Sequence, residues 1–373
     1  MKVIFTCGGT AGHVNPALAL AGLMKKKAPR TEILFVGTPD GMERKLAAKA
    51  GYPYESVEVS SFCRSLKIEG IRHNLRAVKN LMTARHQAET ILKSFAPDLV
   101  VGTGGYASYP MIKYAAKAGI PTAVHESNMV PGLTTKMLEG AADRIMVGFE
   151  ECRQHYKHPE KICVTGTPVR GDFFDLTKEQ AKEKLGVNDG RPLIVSFWGS
   201  LGASYMNEKM VEFFALEAGT EPFHHIHAIG SAGWPRLAEW CRPYGLMLRD
   251  HPSLDVREYI YDMAVAMRAA DLVICRAGAS TISELTALAV PAIIVPSPYV
   301  TNNHQEKNAR ILERHGGACV MLEAESSGKK LFELTSAILS DPKRQADMSR
   351  GMASLGIPDA TERLYETVMS IRK

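Results

Sequence analysis

MKVIFTCGGTAGHVN, residues 1–15, and PLIVSFWGSLGAS, residues 192–204, carry one plan twice. Each is a short apolar run that ends in glycines and leads into a helical segment. Apolar runs of about five residues that do not alternate with polar ones suit strands buried on both faces, as in a parallel sheet. The glycines permit the tight strand-to-helix turn. Outward from the first stretch the plan repeats at EILFVGT (32–38), DLVVGTGG (98–105), PTAVHES (121–127), DRIMVGF (143–149) and KICVTGT (161–167). Outward from the second it repeats at HHIHAIG (224–230), LMLRD (246–250), DLVICRAG (271–278), PAIIVPS (291–297) and ACVMLE (318–323). The spacing predicts an α/β protein of two Rossmann-like domains with parallel sheets facing a cleft. Ligands of such sheets bind outside the carboxyl ends of the strands.

The rest of the chain fits that frame. Its 373 residues correspond to two domains at about 150 residues each. With 23% charged and 45% hydrophobic residues, it is neither disordered nor fibrous. No apolar run nears the roughly 20 residues that span a bilayer. The start is not a signal peptide, because glycines interrupt the apolar run, and a cytoplasmic protein is expected. Cysteines 7, 63, 152, 163, 241, 275 and 319 form no CxxC pair, so buried reduced thiols are expected. TGTPVRGDFFDLT (165–177) and NDGRP (188–192) are turn-rich breaks, giving domains at 1–165 and 166–355. A final helix at about 356–373 packs back on either domain. The net charge of +5 is uneven: residues 1–165 hold 22 basic and 14 acidic side chains, the remainder 23 and 26. Arg64, Lys67, Arg72, Arg76, Lys79 and Arg85 face only Glu69 in their stretch. They form either a solvated helix face or a patch for phospholipid headgroups, nucleic acid or a diphosphate.

Several short stretches carry chemistry. Gly8-Gly9-Thr10-Ala11-Gly12-His13 matches neither GxGxxG nor the P-loop. It is a glycine-rich anion turn with His13 at the helix start, or a turn whose histidine is a structural cap. In CRAGASTISE (275–284), turn N–H groups can hold a diphosphate while Glu284 accepts from ribose hydroxyls. Thr281 and Glu284 also fit a capping box. TNNHQEKNAR (301–310) and HESN (125–128) place amide, imidazole and carboxylate groups at strand ends, where sugar hydroxyls need directional partners. His224, His225 and His227 alternate along a strand without an acidic or cysteine partner nearby in sequence, which argues against a metal site. Asp-x-Asp and GxSxG are both absent, so neither a metal-bridged nucleotide sugar nor a hydrolase triad is indicated.

Seven motifs in order resemble the MurG family of peptidoglycan glycosyltransferases, family 28. They are GGTAGHVNPALALA, GTGGYASYP, HESNMVPGLTTKML, VTGTPVR, GSLGA, CRAGASTISE and NNHQEKNA. The resemblance implies the GT-B fold, with the nucleotide sugar on the C-terminal domain and the lipid acceptor on the N-terminal one. It implies inverting transfer of N-acetylglucosamine from its UDP donor to undecaprenyl-diphospho-muramoylpentapeptide, with neither cofactor nor metal. By motif, Ser200, Ala279, Ser280, Thr281 and Glu284, with Ile282 and Ser283 in the same stretch, would hold diphosphate and ribose. Ile260 would bind uracil through its backbone and Arg170 would support the nucleotide. His304 and Gln305 would meet the sugar, while Thr10, Ala11, Gly12 and Asn128 would close over it. Tyr106 and Glu126 would line the acceptor side.

Inversion at the anomeric carbon needs one general base. His13 fits because an ordinary imidazole accepts a proton at neutral pH, and Glu126 is the alternative. Ala11, Trp198 and the His-Gln pair at 304–305 depart from the family pattern. The implied partners are UDP-N-acetylglucosamine, the lipid acceptor, the cytoplasmic face of the cell membrane and cell-wall synthesis proteins, with no nucleic acid. Leu66, Ile68, Leu81 and Met82 would add shallow apolar contact to the basic patch. Ile71, Leu75, Val78 and Met82 follow the helical spacing of a core face. The rivals are a UDP-N-acetylglucosamine 2-epimerase, a GT-B transferase with another acceptor, and a nucleic-acid-binding protein.

Overall fold

In a computed structural model of the chain, the structure describes residues 1–59, 68–199 and 201–372. Arg64, Lys67 and Ser200 lie outside the described residues. The chain divides into two compact units: Met1–Arg170 with Ile357–Lys373, and Gly171–Gly356.

Unit 1 runs through β1 (Lys2–Thr6), α1 (Ala11–Lys27), β2 (Glu32–Gly37), α2 (Met42–Lys49), β3 (Tyr54–Ser56) and α3 (Ile68–Phe95). It continues with β4 (Leu99–Gly102), α4 (Ser108–Lys117), β5 (Thr122–Glu126), α5 (Leu133–Leu138), β6 (Arg144–Val147) and β7 (Ile162–Val164). Its described strands form a parallel seven-stranded sheet in the order β3-β2-β1-β4-β5-β6-β7. Helices cover both faces, so Val3, Ile4 and Phe5 of the central strand are all wholly buried. Three lysines close α1, where the negative end of the helix dipole favours them.

Unit 2 contains α6 (Lys178–Lys184), β8 (Leu193–Phe197), α7 (Ser204–Ala218), β9 (His224–Ala228), α8 (Leu237–Cys241), β10 (Leu254–Arg257) and α9 (Met263–Ala269). β11 (Leu272–Cys275), α10 (Ala279–Leu288), β12 (Ala292–Ile294), α11 (His304–Arg314), β13 (Ala318–Val320), α12 (Gly328–Leu339) and α13 (Pro342–Ala353) follow. The order β10-β9-β8-β11-β12-β13 repeats the winding of unit 1. The chain then returns to unit 1 as α14 (Ala360–Ser370), whose Leu364 and Val368 join the core beneath α1.

Three expectations change. LMLRD is not a strand: Gly245 turns left-handed at φ 60° and residues 248–250 form a single 3-10 turn. The strand that pairs with His225–Ala228 is Leu254–Arg257. The histidines of β9 do have acidic partners, supplied by the fold rather than by sequence proximity. His225 Nδ1 lies 2.8 Å from Glu217 on α7, and His224 lies 3.0 Å from Asp189. Met82 is 74% exposed and belongs to no core face.

Candidate active site

In unit 1 the site is built where β1 runs into α1. Thr10 is the N-cap, and its carbonyl accepts from the N–H groups of His13 (3.0 Å) and Val14 (3.3 Å). No side chain caps this helix start, which leaves its first N–H groups without a side-chain acceptor. Gly9, at φ +93°, makes the turn. His13 Nδ1 lies 2.8 Å from the carbonyl oxygen of Gly8. A carbonyl only accepts, so Nδ1 carries the proton and Nε2 of the neutral ring is the basic nitrogen.

The turn after β4 interlocks with this one. Gly8 N–H donates to the Gly104 carbonyl at 3.2 Å, and the Thr103 hydroxyl donates to the His13 carbonyl at 2.6 Å. A Cβ on Gly104 would stand 2.5 Å from His13 Cδ2, and one on Gly105 would stand 2.2 Å from the Gly8 oxygen. Two glycines are therefore needed for the imidazole to lie where it does. Tyr106 follows them and is 41% exposed.

Glu126, at the end of β5, is buried and occupied. One oxygen accepts from the backbone and side-chain N–H groups of Asn128, each at 3.1 Å. The other accepts from Gly132 N–H (2.9 Å) and the Thr135 hydroxyl (2.8 Å). Four donors make this carboxylate the organiser of loop 127–135, a poor arrangement for a proton acceptor. His125 beside it is wholly buried with Nε2 3.0 Å from the Gly166 carbonyl. Burial holds its pKa down at about 4, so it is neutral at pH 7.

In unit 2 the turns after β8 and β11 border a cavity of about 510 Å³, with Trp198, Gly199, Arg276, Gly278, Thr281 and Gln305 in its wall. A neighbouring cavity of about 380 Å³ shares Tyr205, Tyr299 and Glu323 with it. Gly202, at φ +76°, packs so closely on the residue after β9 that a Cβ would stand 2.2 Å from the Ile229 oxygen. The Arg276 guanidinium lies 5.5 Å over the Trp198 ring, pairs with Glu323 and donates to the Val295 carbonyl at 2.9 Å. Gln305 accepts from Ser297 N–H at 2.9 Å, which directs its NH2 end away from Ser297.

The N-cap of α10 is Gly278, without a side-chain cap, so the Thr281–Glu284 capping box does not form. Ala279, Ser280, Thr281 and Glu284 are half-buried along the first turns of that helix. Ile282 points into the core at 1% exposure, and the Ser283 hydroxyl donates back to the Ala279 carbonyl at 3.0 Å; neither side chain faces the cavity. Ile260 is likewise buried, offering only its backbone, between the exposed Tyr259 and Tyr261. His304 opens α11 but lines neither cavity. Arg170 is exposed at the end of unit 1. Ala11 and Gly12 form the first turn of α1 behind the exposed Thr10.

Of the basic stretch, Arg72, Arg76 and Lys79 lie on α3. Arg85 is paired with Glu89 at 2.9 Å and lies 5.7 Å over the Tyr114 ring, so part of its charge is compensated. Among the described residues no helix is long and apolar enough to cross a membrane.

Sequence reasoning missed Glu43, a buried carboxylate beneath the Gly8–Gly9 turn, and the Arg276–Glu323 pair. Glu43 reads as an ordinary acid in a helix's first turn; only the glycines 37 and 41 just before it hint at a socket.

Comparison with known proteins gives one answer. The glycosyltransferase family 28 N-terminal domain matches residues 3–147, and the family's C-terminal domain matches residues 193–364. A UDP-N-acetylglucosamine--N-acetylmuramyl-(pentapeptide) pyrophosphoryl-undecaprenol N-acetylglucosamine transferase of Acetivibrio thermocellus is 42% identical, over 100% of this chain and 99% of its own. The crystal structure of MurG from Acinetobacter baumannii superposes with a TM-score of 0.77 at 25% identity, covering 99% of each chain. A UDP-N-acetylglucosamine 2-epimerase from Neisseria meningitidis, at 14% identity and TM-score 0.68 over 99% and 100%, shares the fold alone.

Proposed function

Since the chain belongs to glycosyltransferase family 28, we propose that it transfers N-acetylglucosamine from UDP-N-acetylglucosamine to the C4 hydroxyl of the muramoyl unit of undecaprenyl-diphospho-muramoylpentapeptide. The product is the lipid-linked disaccharide used in peptidoglycan synthesis. The full-length relative at 42% identity carries this reading, while the epimerase at 14% identity shares the fold alone.

Unit 2 holds the donor. The uncapped start of α10 takes the diphosphate, Glu284 takes ribose hydroxyls, and Gln305 offers its NH2 end to the sugar. Unit 1 holds the acceptor and the base. The acceptor O4 attacks the anomeric carbon as the bond to UDP breaks, and His13 Nε2 takes the hydroxyl proton. The negative charge that develops on the leaving diphosphate is met by backbone N–H groups. The acceptor's polyprenyl tail stays in the bilayer, so unit 1 meets the cytoplasmic leaflet at its surface, with Arg72, Arg76 and Lys79 attracting anionic lipid.

Release of UDP is the test. The transferase releases UDP only when the lipid-linked muramoylpentapeptide is supplied, and forms a β(1→4) disaccharide. UDP release without acceptor, accompanied by N-acetylmannosamine, would replace this reading with the epimerase.

A further inference from the structure

Glu43 stands in the first turn of α2, wholly buried, and three glycines make room for it. A Cβ on Gly41 would lie 2.1 Å from its Oε1, one on Gly37 would lie 2.5 Å from its Cγ, and one on Gly8 would lie 3.3 Å from Oε1. Its Oε1 accepts from the N–H (2.8 Å) and hydroxyl (2.7 Å) of Thr38, and its Oε2 from the N–H of Gly9 at 3.4 Å. A buried carboxylate is costly to desolvate, and these three neutral donors act against that cost.

The third of these bonds links Glu43 to His13. The N–H of Gly9 and the carbonyl of Gly8 belong to one peptide group, whose two ends are coupled by resonance. At one end the N–H donates to Glu43; at the other the carbonyl accepts from His13 Nδ1–H at 2.8 Å. An anion on the N–H side pushes electron density to the carbonyl oxygen and strengthens its hold on the Nδ1 proton. It also fixes the plane of the peptide, and with it the direction of the imidazole. The logic is that of a carboxylate that orients a catalytic histidine, with a peptide bond placed between the two groups.

We propose that Glu43 is a positioning residue for the transfer reaction: through the Gly8–Gly9 peptide it holds His13 in the tautomer whose Nε2 is basic. The proposal rests on His13 being the base. It does not require Glu43 to touch substrate, and the group is too deeply buried to do so.

The experiment uses the full chain labelled with 15N-histidine, the His13 signal being assigned by its loss in His13→Gln. Wild-type His13 is expected as the Nδ1–H tautomer at neutral pH. Glu43→Gln is expected to add a visible Nε2–H population and to lower kcat about 10-fold, well short of removing the base. The acid limb of the kcat profile moves to lower pH, while KM for UDP-N-acetylglucosamine stays put. Glu43→Asp, which keeps the charge but shortens the reach to Gly9, gives the same pattern more weakly. It serves as the variant if Glu43→Gln does not fold. Thr38→Val removes a bond to Oε1 and leaves the tautomer alone. A wild-type His13 in the Nε2–H form overturns the proposal. So does a Glu43 variant that loses stability while tautomer and pH profile stay unchanged. If His13→Gln itself turns over normally, the base assignment fails first, and it fails separately.

Discussion

The first strand-to-helix turns of the two units, Thr6–Ala11 and Phe197–Ser204, solve one backbone problem alike and hold opposite chemistry. Each places a glycine in the left-handed region, Gly9 at φ +93° and Gly199 at φ +93°. Each also locks onto the glycine turn of an adjacent strand: Gly8 onto Gly104–Gly105 in unit 1, Gly202 onto Ile229–Gly230 in unit 2. Beyond the backbone they part. Unit 1 sets an imidazole on the turn, with a buried carboxylate below it and a neutral His125 nearby. Unit 2 sets an indole there, with a guanidinium over its face already paired to Glu323. The winding decides where a ligand can approach, and the side chains set beside the glycines decide what is done to it. One turn presents an imidazole and the other an indole under a paired guanidinium.

The largest effect that would break this contrast lies in unit 1. His13→Ala should lower kcat by about 10²–10⁴-fold and leave the Kd for UDP unchanged. Gly104→Ala attacks the same function without replacing the ring. Its new methyl would stand 2.5 Å from Cδ2, on a residue at φ +112°, so the imidazole must move. A displacement near 1 Å costs about 10² in rate. Steady-state kinetics beside UDP calorimetry tests both. If either variant loses UDP affinity instead of turnover, the two turns are not divided by task.

The parallel sheets were legible because βα runs such as VIFTCGG and LVICRAG are apolar without alternation, which few other folds require. LMLRD failed because hydrophobicity alone does not distinguish a strand from a loop: Leu246 is buried while Met247 is 48% exposed. The histidine at the helix start was legible, but its surroundings, Gly8, Gly104 and, through Gly9, Glu43, converge from three separate segments. The capping-box alternative for Glu284 was a local pattern that the observed helix start at Ala279 removes. His225 was read without an acidic partner because Glu217 lies on the preceding helix and meets it only across the fold.

A smaller effect, of pH, is one that the two units share. Folded His125 has a pKa of about 4, against 6.5 in an unfolded chain, so the unfolded state binds the proton first as pH falls. The stability associated with the neutral ring is complete above about pH 6.5 and drains away toward pH 4. Between pH 7 and pH 5 the loss is about 2 kcal/mol by this linkage. Hydrogen exchange at the amides of β5, corrected for intrinsic rates, should show protection falling by that amount. In unit 2, His227 is also held well below its ordinary value by burial, so β9 should weaken over the same range. Protection of β5 that is flat from pH 7 to pH 5 would mean that His125 is solvated and charged.

The smallest expected effect sharpens the unit 2 side of the comparison. α10 begins at Ala279 behind the N-cap Gly278, which puts Glu284 at its sixth position, beyond the reach of a capping box. Its carboxylate is half-buried on the same helix whose start borders the 510 Å³ cavity. If it accepts from ribose hydroxyls, Glu284→Ala should weaken UDP binding by about 1–3 kcal/mol, the scale for a hydrogen bond to a charged group. By calorimetry that is a Kd raised roughly 5- to 150-fold. Ser283→Ala is the control one residue away: its hydroxyl is spent on the Ala279 carbonyl, so UDP affinity should barely change. Equal losses in the two variants would trace the effect to the helix rather than the carboxylate. No loss in Glu284→Ala would leave the diphosphate, held by backbone N–H groups, as the part of the nucleotide that this turn recognises.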